Sequence, residues 1–125
     1  MRAYWFFGLA GLLSAGAVMA ADLIPLKTGI YVPIASPCKG ASRAEMVNYW
    51  GGKSSIGSGM AECTIKKISH AGNVYKYTDE CTDIASGEKI SGDDPTTLTI
   101  LTPASFRMGV GKDAATYKYC GSRPQ

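Results

Sequence analysis

The chain has 125 residues, with 13 lysine and arginine side chains against 10 acidic ones, which gives a formal net charge of +3 at neutral pH. A chain of this length suits one domain, since most domains hold about 100–200 residues. Length and charge together exclude a multidomain enzyme and a strongly basic nucleic-acid-binding protein.

The first 20 residues predict a secretory signal peptide. They hold 15 apolar residues and a single charge at Arg2, and the run ends in small residues before residue 22. A transmembrane helix needs about 20 apolar residues, so the run is too short to predict one; an uncleaved N-terminal anchor is the alternative. Cleavage after Ala20 leaves 105 residues. We therefore expect residues 21–125 to form a single β-rich domain, periplasmic or secreted, without membrane insertion.

Turn residues punctuate the rest of the chain at short intervals. The segments between them are mostly five to nine residues long and are rich in Val, Ile, Thr and Tyr. This pattern predicts many short strands rather than helices. The predicted strands are 29–34, 44–50, 61–69, 74–81, 97–102, 105–108 and 115–120. The predicted fold class is all-β, a small antiparallel β-barrel or sandwich.

One of these segments fits a helix almost as well as a strand. Ser42-Arg43-Ala44-Glu45 matches the S-x-x-E capping box that opens many helices. The apolar residues that come next, from Met46 to Trp50, fit a helix face or a strand. We favour a strand here, and a short helix over 43–50 stays open.

The clearest local unit is a hairpin over residues 61–81. Cys63 and Cys81 each lie nine positions from Gly72. A three-residue loop at 71–73 would place the two cysteines directly opposite each other, within disulfide reach. The same register pairs two further sets of residues: Ile65 with Asp79 and Lys67 with Tyr77. A two-residue loop, Gly72-Asn73, would shift this pairing by one and is the alternative.

The four cysteines of the chain all follow the predicted signal peptide. An even number in an exported chain predicts two disulfides, with three connectivities open. The hairpin symmetry favours Cys63 with Cys81, which leaves Cys38 with Cys120. None of the spacings is C-x-x-C, and the only histidine is His70. Structural disulfides are therefore favoured over a metal site, and we expect no metal and no cofactor.

Catalytic constellations are poorly supported. A serine hydrolase needs a base beside its nucleophile, and the only histidine, His70, lies next to the predicted hairpin turn. Asp79-Glu80 is an acidic pair, but adjacent strand residues point to opposite faces. Asp93-Asp94-Pro95 is typical of a turn. We predict that the protein is not an enzyme.

Tyrosine dominates the aromatic residues beyond the predicted signal peptide. The six tyrosines are Tyr31, Tyr49, Tyr75, Tyr77, Tyr117 and Tyr119. Two pairs at i and i+2 each share one face of a predicted strand. Such faces serve either as the core of a small barrel or as an exposed platform for a partner. We favour the core, because a small barrel must fill its interior.

Two loops carry a further signal. Gly57-Ser58-Gly59 lies in a serine- and glycine-rich loop, and Gly111-Lys112-Asp113-Ala114 precedes the last predicted strand and its cysteine. In these features and in general layout the chain resembles the bacterial periplasmic inhibitors of c-type lysozyme, small disulfide-stabilised barrels. The resemblance implies that Ser58 and Lys112 enter a lysozyme cleft. About fifty residues separate the two motifs here, against a much shorter gap in that family, and the cysteine arrangement differs.

Three hypotheses of function result. The first is an exported binding protein with a protein partner, most concretely an inhibitor or regulator of lysozyme or another peptidoglycan hydrolase. The second is a lipocalin-like carrier of a small ligand, which needs a cavity lined by tyrosine faces. The third is a structural or host-interaction factor. A nucleic-acid partner is not expected, because the charge after cleavage is only +2.

Overall fold

The computed structural model describes residues 22–91 and 94–122, so the predicted signal peptide lies outside the described residues. The described residues form nine strands: β1 (Gly29–Pro33), β2 (Val47–Tyr49), β3 (Gly57–Ser58), β4 (Ala61–Ala71), β5 (Val74–Asp83), β6 (Lys89–Ser91), β7 (Thr96–Thr102), β8 (Ser105–Met108) and β9 (Ala115–Gly121). A short 3-10 turn at Gly111–Asp113 joins β8 to β9.

The strands form one antiparallel sheet that curls almost back onto itself. Its order is β3-β2-β1-β9-β8-β7-β5-β4, and β6 pairs with β5 beside this path. The first and last strands of the path lie side by side. The chain just before β3 also pairs with β4, through a bridge between Ser54 and Thr64 and a hydrogen bond of 2.8 Å from the Ile65 N–H to the Lys53 carbonyl oxygen. The predicted all-β class is confirmed, as a nearly closed barrel.

The segment that fitted both a helix and a strand forms a turn and then a short strand. The Glu45 carboxylate accepts hydrogen bonds from the Ser42 N–H at 3.2 Å and from the Ser36 hydroxyl at 2.9 Å. The bond from Ser36, with the bond from Ser42, lowers the pKa of Glu45. These local bonds compete with strand pairing, so β2 begins at Val47 and not at residue 44 as predicted.

The loop of the β4–β5 hairpin has two residues, so the predicted three-residue loop is wrong. Ala71 pairs directly with Val74, which leaves Gly72 and Asn73 as the turn. Gly72 has a φ of +60°, a conformation that glycine adopts without a steric penalty. The Asn73 side-chain amide donates to the Ile100 carbonyl oxygen at 2.9 Å, which fastens the turn to β7.

A β-bulge nevertheless restores the predicted pairing of the cysteines. The register shifts by one between Ile65 and Lys67. Lys67 therefore lies opposite Thr78, and the predicted Lys67–Tyr77 pair is wrong. A bulge adds one residue to one strand and so offsets the shorter loop. Beyond it the predicted pairs hold: Cys63 with Cys81 and Ile65 with Asp79.

Both predicted disulfides are present. Cys63 and Cys81 are bonded across the hairpin, with a Cα–Cα distance of 4.0 Å. Cys38 and Cys120 join the long β1–β2 connection to the last strand, with a Cα–Cα distance of 5.4 Å. Two disulfides in a chain this short indicate an oxidising, exported environment. In the described ranges, no helix has the length and apolar character needed to cross a bilayer.

Tyrosines fill the barrel, which confirms the core interpretation. The interior side chains with less than 2% exposure include Tyr31, Tyr49, Tyr77, Phe106 and Leu98. The other three tyrosines beyond residue 21 are partly buried and pack against this cluster. Ahead of β1, Ile24 and Leu26 are buried and belong to the same core. The buried Tyr49 hydroxyl donates a hydrogen bond to the Ile24 carbonyl oxygen at 2.9 Å, so this polar group has a partner inside the core.

Alkaline pH is expected to destabilise this core. Burial raises the pKa of Tyr31 and of Tyr49 to about 12, and it raises the pKa of Tyr77 as well. The unfolded chain ionises first, near pH 10. Each buried neutral tyrosine therefore makes its full contribution to the free energy of unfolding below pH 10. Between about pH 10 and pH 12 that contribution falls by about 1.4 kcal/mol per pH unit for each tyrosine.

Urea unfolding at pH values below and above 10 measures this loss, with tyrosinate absorbance as a second signal. Tyr49→Phe removes one titrating group, so its stability is expected to fall less steeply with pH than that of the unmodified protein. A stability that stays flat from pH 10 to about 12 would contradict the prediction.

Candidate binding groove at Ser58 and Trp50

Polar side chains lie at the surface of the barrel where β2 pairs with β3. In β2, Tyr49 points into the core, so Asn48 points to the outer face. Asn48 pairs with Gly57 in β3, whereas Ser58 pairs with Val47, which packs against the core. Ser58 is the last residue of β3 and is exposed, although strand alternation does not direct it outward. Trp50 comes directly after β2 and has 54% of its surface exposed. A tryptophan this exposed on a packed barrel marks a candidate contact surface.

Two adjoining concavities meet at these residues. The larger has a volume of about 470 Å³ and includes Ser58, Glu62 and Thr64 in its lining. The smaller, of about 370 Å³, is lined on its far side by Arg43 and Met46. Both share three lining residues: Asn48, Trp50 and Gly59. We call the two together the Trp50 groove.

The floor of the Trp50 groove is held by buried and covalent contacts. Ser55 is 3% exposed, and its hydroxyl donates to the Asp79 carboxylate of β5 at 2.6 Å. The Ser55 N–H also donates to the Cys63 carbonyl oxygen at 3.3 Å. The disulfide from Cys63 to Cys81 lies against Gly57, where an added Cβ would lie 3.5 Å from the Cys63 sulfur. The groove is thus formed before any ligand arrives.

Cys63, Asp79 and Cys81 bring three potential metal-ligating atoms within 4.8 Å of one another at this floor. Both sulfur atoms are bonded to each other, so neither is available as a thiolate, the form that binds a metal. The Asp79 carboxylate is already used by Ser55. The cluster is therefore structural.

Exposed apolar side chains extend the groove along the β3–β4 connection. Met60 is 54% exposed and Ile84 is 61% exposed. The Ile84 N–H donates to the Met60 carbonyl oxygen at 3.1 Å, which keeps these two residues adjacent. Ser58 precedes Met60 by two residues, and its hydroxyl accepts a hydrogen bond from the Met60 N–H at 3.2 Å. The hydroxyl proton of Ser58 stays available to a ligand.

Lys112 lies on a different part of the barrel. It is exposed in the 3-10 turn between β8 and β9. The neighbouring concavity, of about 420 Å³, is lined by Thr97, Thr99 and Arg107 among others. The β3–β4 and β8–β9 connections open at the same end of the barrel, but β3 and β8 are four strands apart in either direction round the sheet. The structure does not bring Ser58 and Lys112 together into one groove.

The histidine is fixed on the hairpin, away from the Trp50 groove. Its ring stacks on Tyr75 with 4.7 Å between ring centroids, and its Nδ1 lies 3.2 Å from the Gly72 carbonyl oxygen. The hairpin turn projects from the end of the barrel opposite to Ser58. A serine nucleophile requires a base within hydrogen-bond distance. His70 lies at the other end of the barrel and is too distant from Ser58 to serve as that base.

Comparison with known proteins does not assign a function to the Trp50 groove. No family model, no curated protein and no solved structure matches the chain. A function for the Trp50 groove therefore rests on the chemistry of its own residues.

Sequence reasoning predicted Ser58 as a site residue and did not single out Trp50, Asn48 or Glu62, which line the same groove. The alternation Val47-Asn48-Tyr49 does carry a signal, since a polar residue between two core residues points outward. The exposure of Trp50 has no such signal. It depends on β2 ending at Tyr49, which is set by the pairing of β2 with β1 and β3.

Proposed function

We propose that this protein is an exported, non-enzymatic binding protein that recognises a protein partner, most concretely lysozyme or another peptidoglycan hydrolase that it inhibits. The observation that carries the proposal is the exposed Ser58 at the edge of a preformed groove beside exposed Trp50, Met60 and Ile84. Tryptophan and methionine are enriched in protein interfaces, and a rigid site loses little entropy on binding.

The chemistry of such inhibition is electrostatic. Hydrolases that cleave glycosidic bonds carry a pair of catalytic carboxyl groups. The Ser58 hydroxyl is free to donate a hydrogen bond to one of them, and the exposed Lys112 ammonium supplies a charge-assisted bond. Since the two residues lie on opposite sides of the same end of the barrel, the interface we propose spans that end and not a single loop.

The packed interior argues against the carrier hypothesis. A lipocalin-like carrier needs a cavity inside the barrel. Here Tyr31, Tyr49, Tyr77 and Phe106 occupy the interior with almost no exposure.

Lysozyme assays with matched variants test the proposal. We expect the unmodified protein to inhibit hydrolysis, and Ser58→Ala and Lys112→Ala each to weaken inhibition about tenfold, which corresponds to about 1.4 kcal/mol. The effects are expected to add in the double variant, because distant sites act independently. Ser69→Ala and Lys76→Ala, exposed in β4 and β5, are the controls. Full inhibition by the double variant would remove both residues from the interface, and no inhibition by the unmodified protein would remove lysozyme as the target.

A further inference from the structure

We propose that the Trp50 groove is also a binding site for a neutral oligosaccharide, with one pyranose ring lying on the indole of Trp50. This inference does not rest on the inhibitor function, since it concerns a glycan and needs no hydrolase. Three properties of the groove carry it: an exposed tryptophan, a rim of groups that donate and accept hydrogen bonds, and a rigid floor.

The aromatic face provides the apolar half of the recognition. A pyranose ring has a face of C–H groups that packs on an aromatic ring, and a rim of hydroxyl groups around it. Trp50 exposes 54% of its surface and lines both concavities. A pyranose ring that covers the indole therefore contacts both concavities. Tryptophan supplies a large rigid apolar area with few rotatable bonds, so little entropy is lost when it is covered.

The rim provides the polar half. Sugar hydroxyl groups both donate and accept hydrogen bonds, so they need partners of both kinds. The lining of the larger concavity offers them: the Asn48 amide, the hydroxyls of Ser58 and Thr64, and the Glu62 carboxylate. No lysine or arginine is among the described residues that line this larger concavity, and Arg43 lines only the smaller one. A carboxylate without a neighbouring cation disfavours an anionic ligand and accepts from hydroxyl groups, which points to a neutral sugar.

The dimensions and rigidity of the groove fit a chain of sugar units. Ligand sites usually have volumes of about 300–1,000 Å³, and the two concavities of about 470 and 370 Å³ adjoin at Trp50. The second concavity gives a neighbouring sugar unit a place on the other side of the indole. The Ser55–Asp79 hydrogen bond and the Cys63–Cys81 disulfide hold the floor in advance. Preorganisation of this kind favours binding of small ligands.

Tryptophan fluorescence reports on this site directly. The chain has only two tryptophans, and the other, Trp5, lies in the predicted signal peptide. We expect titration of the purified protein with cellotriose, chitotriose or maltotriose to give a saturable change in fluorescence with at least one of the three. Trp50→Phe removes the signal and supplies the background, and calorimetry on the same samples measures the affinity independently.

Gly59 allows the groove to be blocked without disturbing the fold. It lines both concavities, an added Cβ there meets no atom within 4 Å, and its backbone lies outside the positive-φ region. Gly59→Leu is therefore expected to fill the groove and abolish binding. Ala71→Leu adds the same side chain at an exposed position at the far end of β4 and is the matched control. Urea unfolding verifies that both variants fold.

Two further substitutions assign the contacts. Trp50→Ala is expected to weaken binding about 30-fold, the loss typical of a central aromatic contact, and Ser58→Ala about threefold to tenfold, the loss of one hydrogen bond. Leu101→Ala, an exposed residue of β7, is the control for Trp50.

The proposal is overturned if none of the three sugars binds, or if Gly59→Leu binds as well as the unmodified protein. Failure of sugar binding leaves lysozyme inhibition intact, and failure of inhibition leaves sugar binding intact, so the two results separate the two proposals.

Discussion

Removal of the long disulfide is expected to cost about 4.5 kcal/mol of unfolding free energy. Cys38 and Cys120 are 82 positions apart, whereas Cys63 and Cys81 are 18 apart. A crosslink lowers the conformational entropy of the unfolded chain by an amount that grows with the logarithm of the number of residues in the closed loop. This gives about 4.5 kcal/mol for the long loop and about 3 kcal/mol for the short one. Because domains of this size have a stability of about 5–15 kcal/mol, the long disulfide supplies a large share of it.

Two double variants compare the two bonds. Cys38→Ala with Cys120→Ala is expected to lower the free energy of unfolding by about 1.5 kcal/mol more than Cys63→Ala with Cys81→Ala. Urea unfolding measures both. The dependence of the free energy on urea concentration is also expected to increase most for the first pair, since its unfolded chain expands most. A larger cost for the hairpin pair would show that native contacts of that bond, and not chain entropy, decide its contribution.

The hairpin shows how far sequence reasoning reaches into the fold. The symmetry of Cys63 and Cys81 about Gly72 predicts their pairing, which the structure confirms. The reason differs from the one predicted, since a two-residue loop and a β-bulge together give the same alignment as a three-residue loop. A bulge leaves no mark in the pattern of apolar residues when the extra residue is a lysine on the solvent face. The position of Lys67 was therefore beyond prediction.

Short strands that depend on distant partners were also beyond prediction. β3 has two residues and β6 has three, and neither is long enough to show alternation. Strands with a full period, such as β7 over Thr96–Thr102, were found within one residue. The capping-box pattern at Ser42 and Glu45 forms its hydrogen bond, but in a turn, because a local bond does not determine the conformation of the residues after it.

The candidate site was also predictable only in part from the sequence. Glycines on both sides of Ser58 predict an exposed loop, and Ser58 is exposed as expected. Its neighbours in the Trp50 groove come from β2, β3, β4 and the end of β5, which are far apart in the sequence. Only the closure of the barrel brings Trp50 and Glu62 to the same surface. The separation of Ser58 from Lys112 likewise results from the strand order, which a single sequence does not reveal.

The second large effect is expected at Gly29, where β1 meets the last strand. Gly29 is buried with a φ of +143°, beside a register shift in the β1–β9 pairing. An added Cβ would overlap the Gly121 carbonyl oxygen and would lie 2.7 Å from Cε1 of Tyr119. Gly29→Ala therefore combines backbone strain with overpacking, each of which costs about 1–3 kcal/mol. We expect a loss of about 4 kcal/mol, measured by urea unfolding.

Tyr119 has little freedom to move away from the new methyl group. Its hydroxyl donates to the Thr28 carbonyl oxygen at 3.1 Å, and its ring packs edge-on against Tyr31 with 5.3 Å between centroids. The Lys27 ammonium lies 4.5 Å from the centroid of the same ring. Gly59→Ala is the control, because a Cβ there meets no atom within 4 Å, and its stability is expected to change by less than about 0.5 kcal/mol. If Gly29→Ala is equally mild, β1 and β9 can shift at their junction, and the close approach of Gly29 to Gly121 and Tyr119 contributes little to stability.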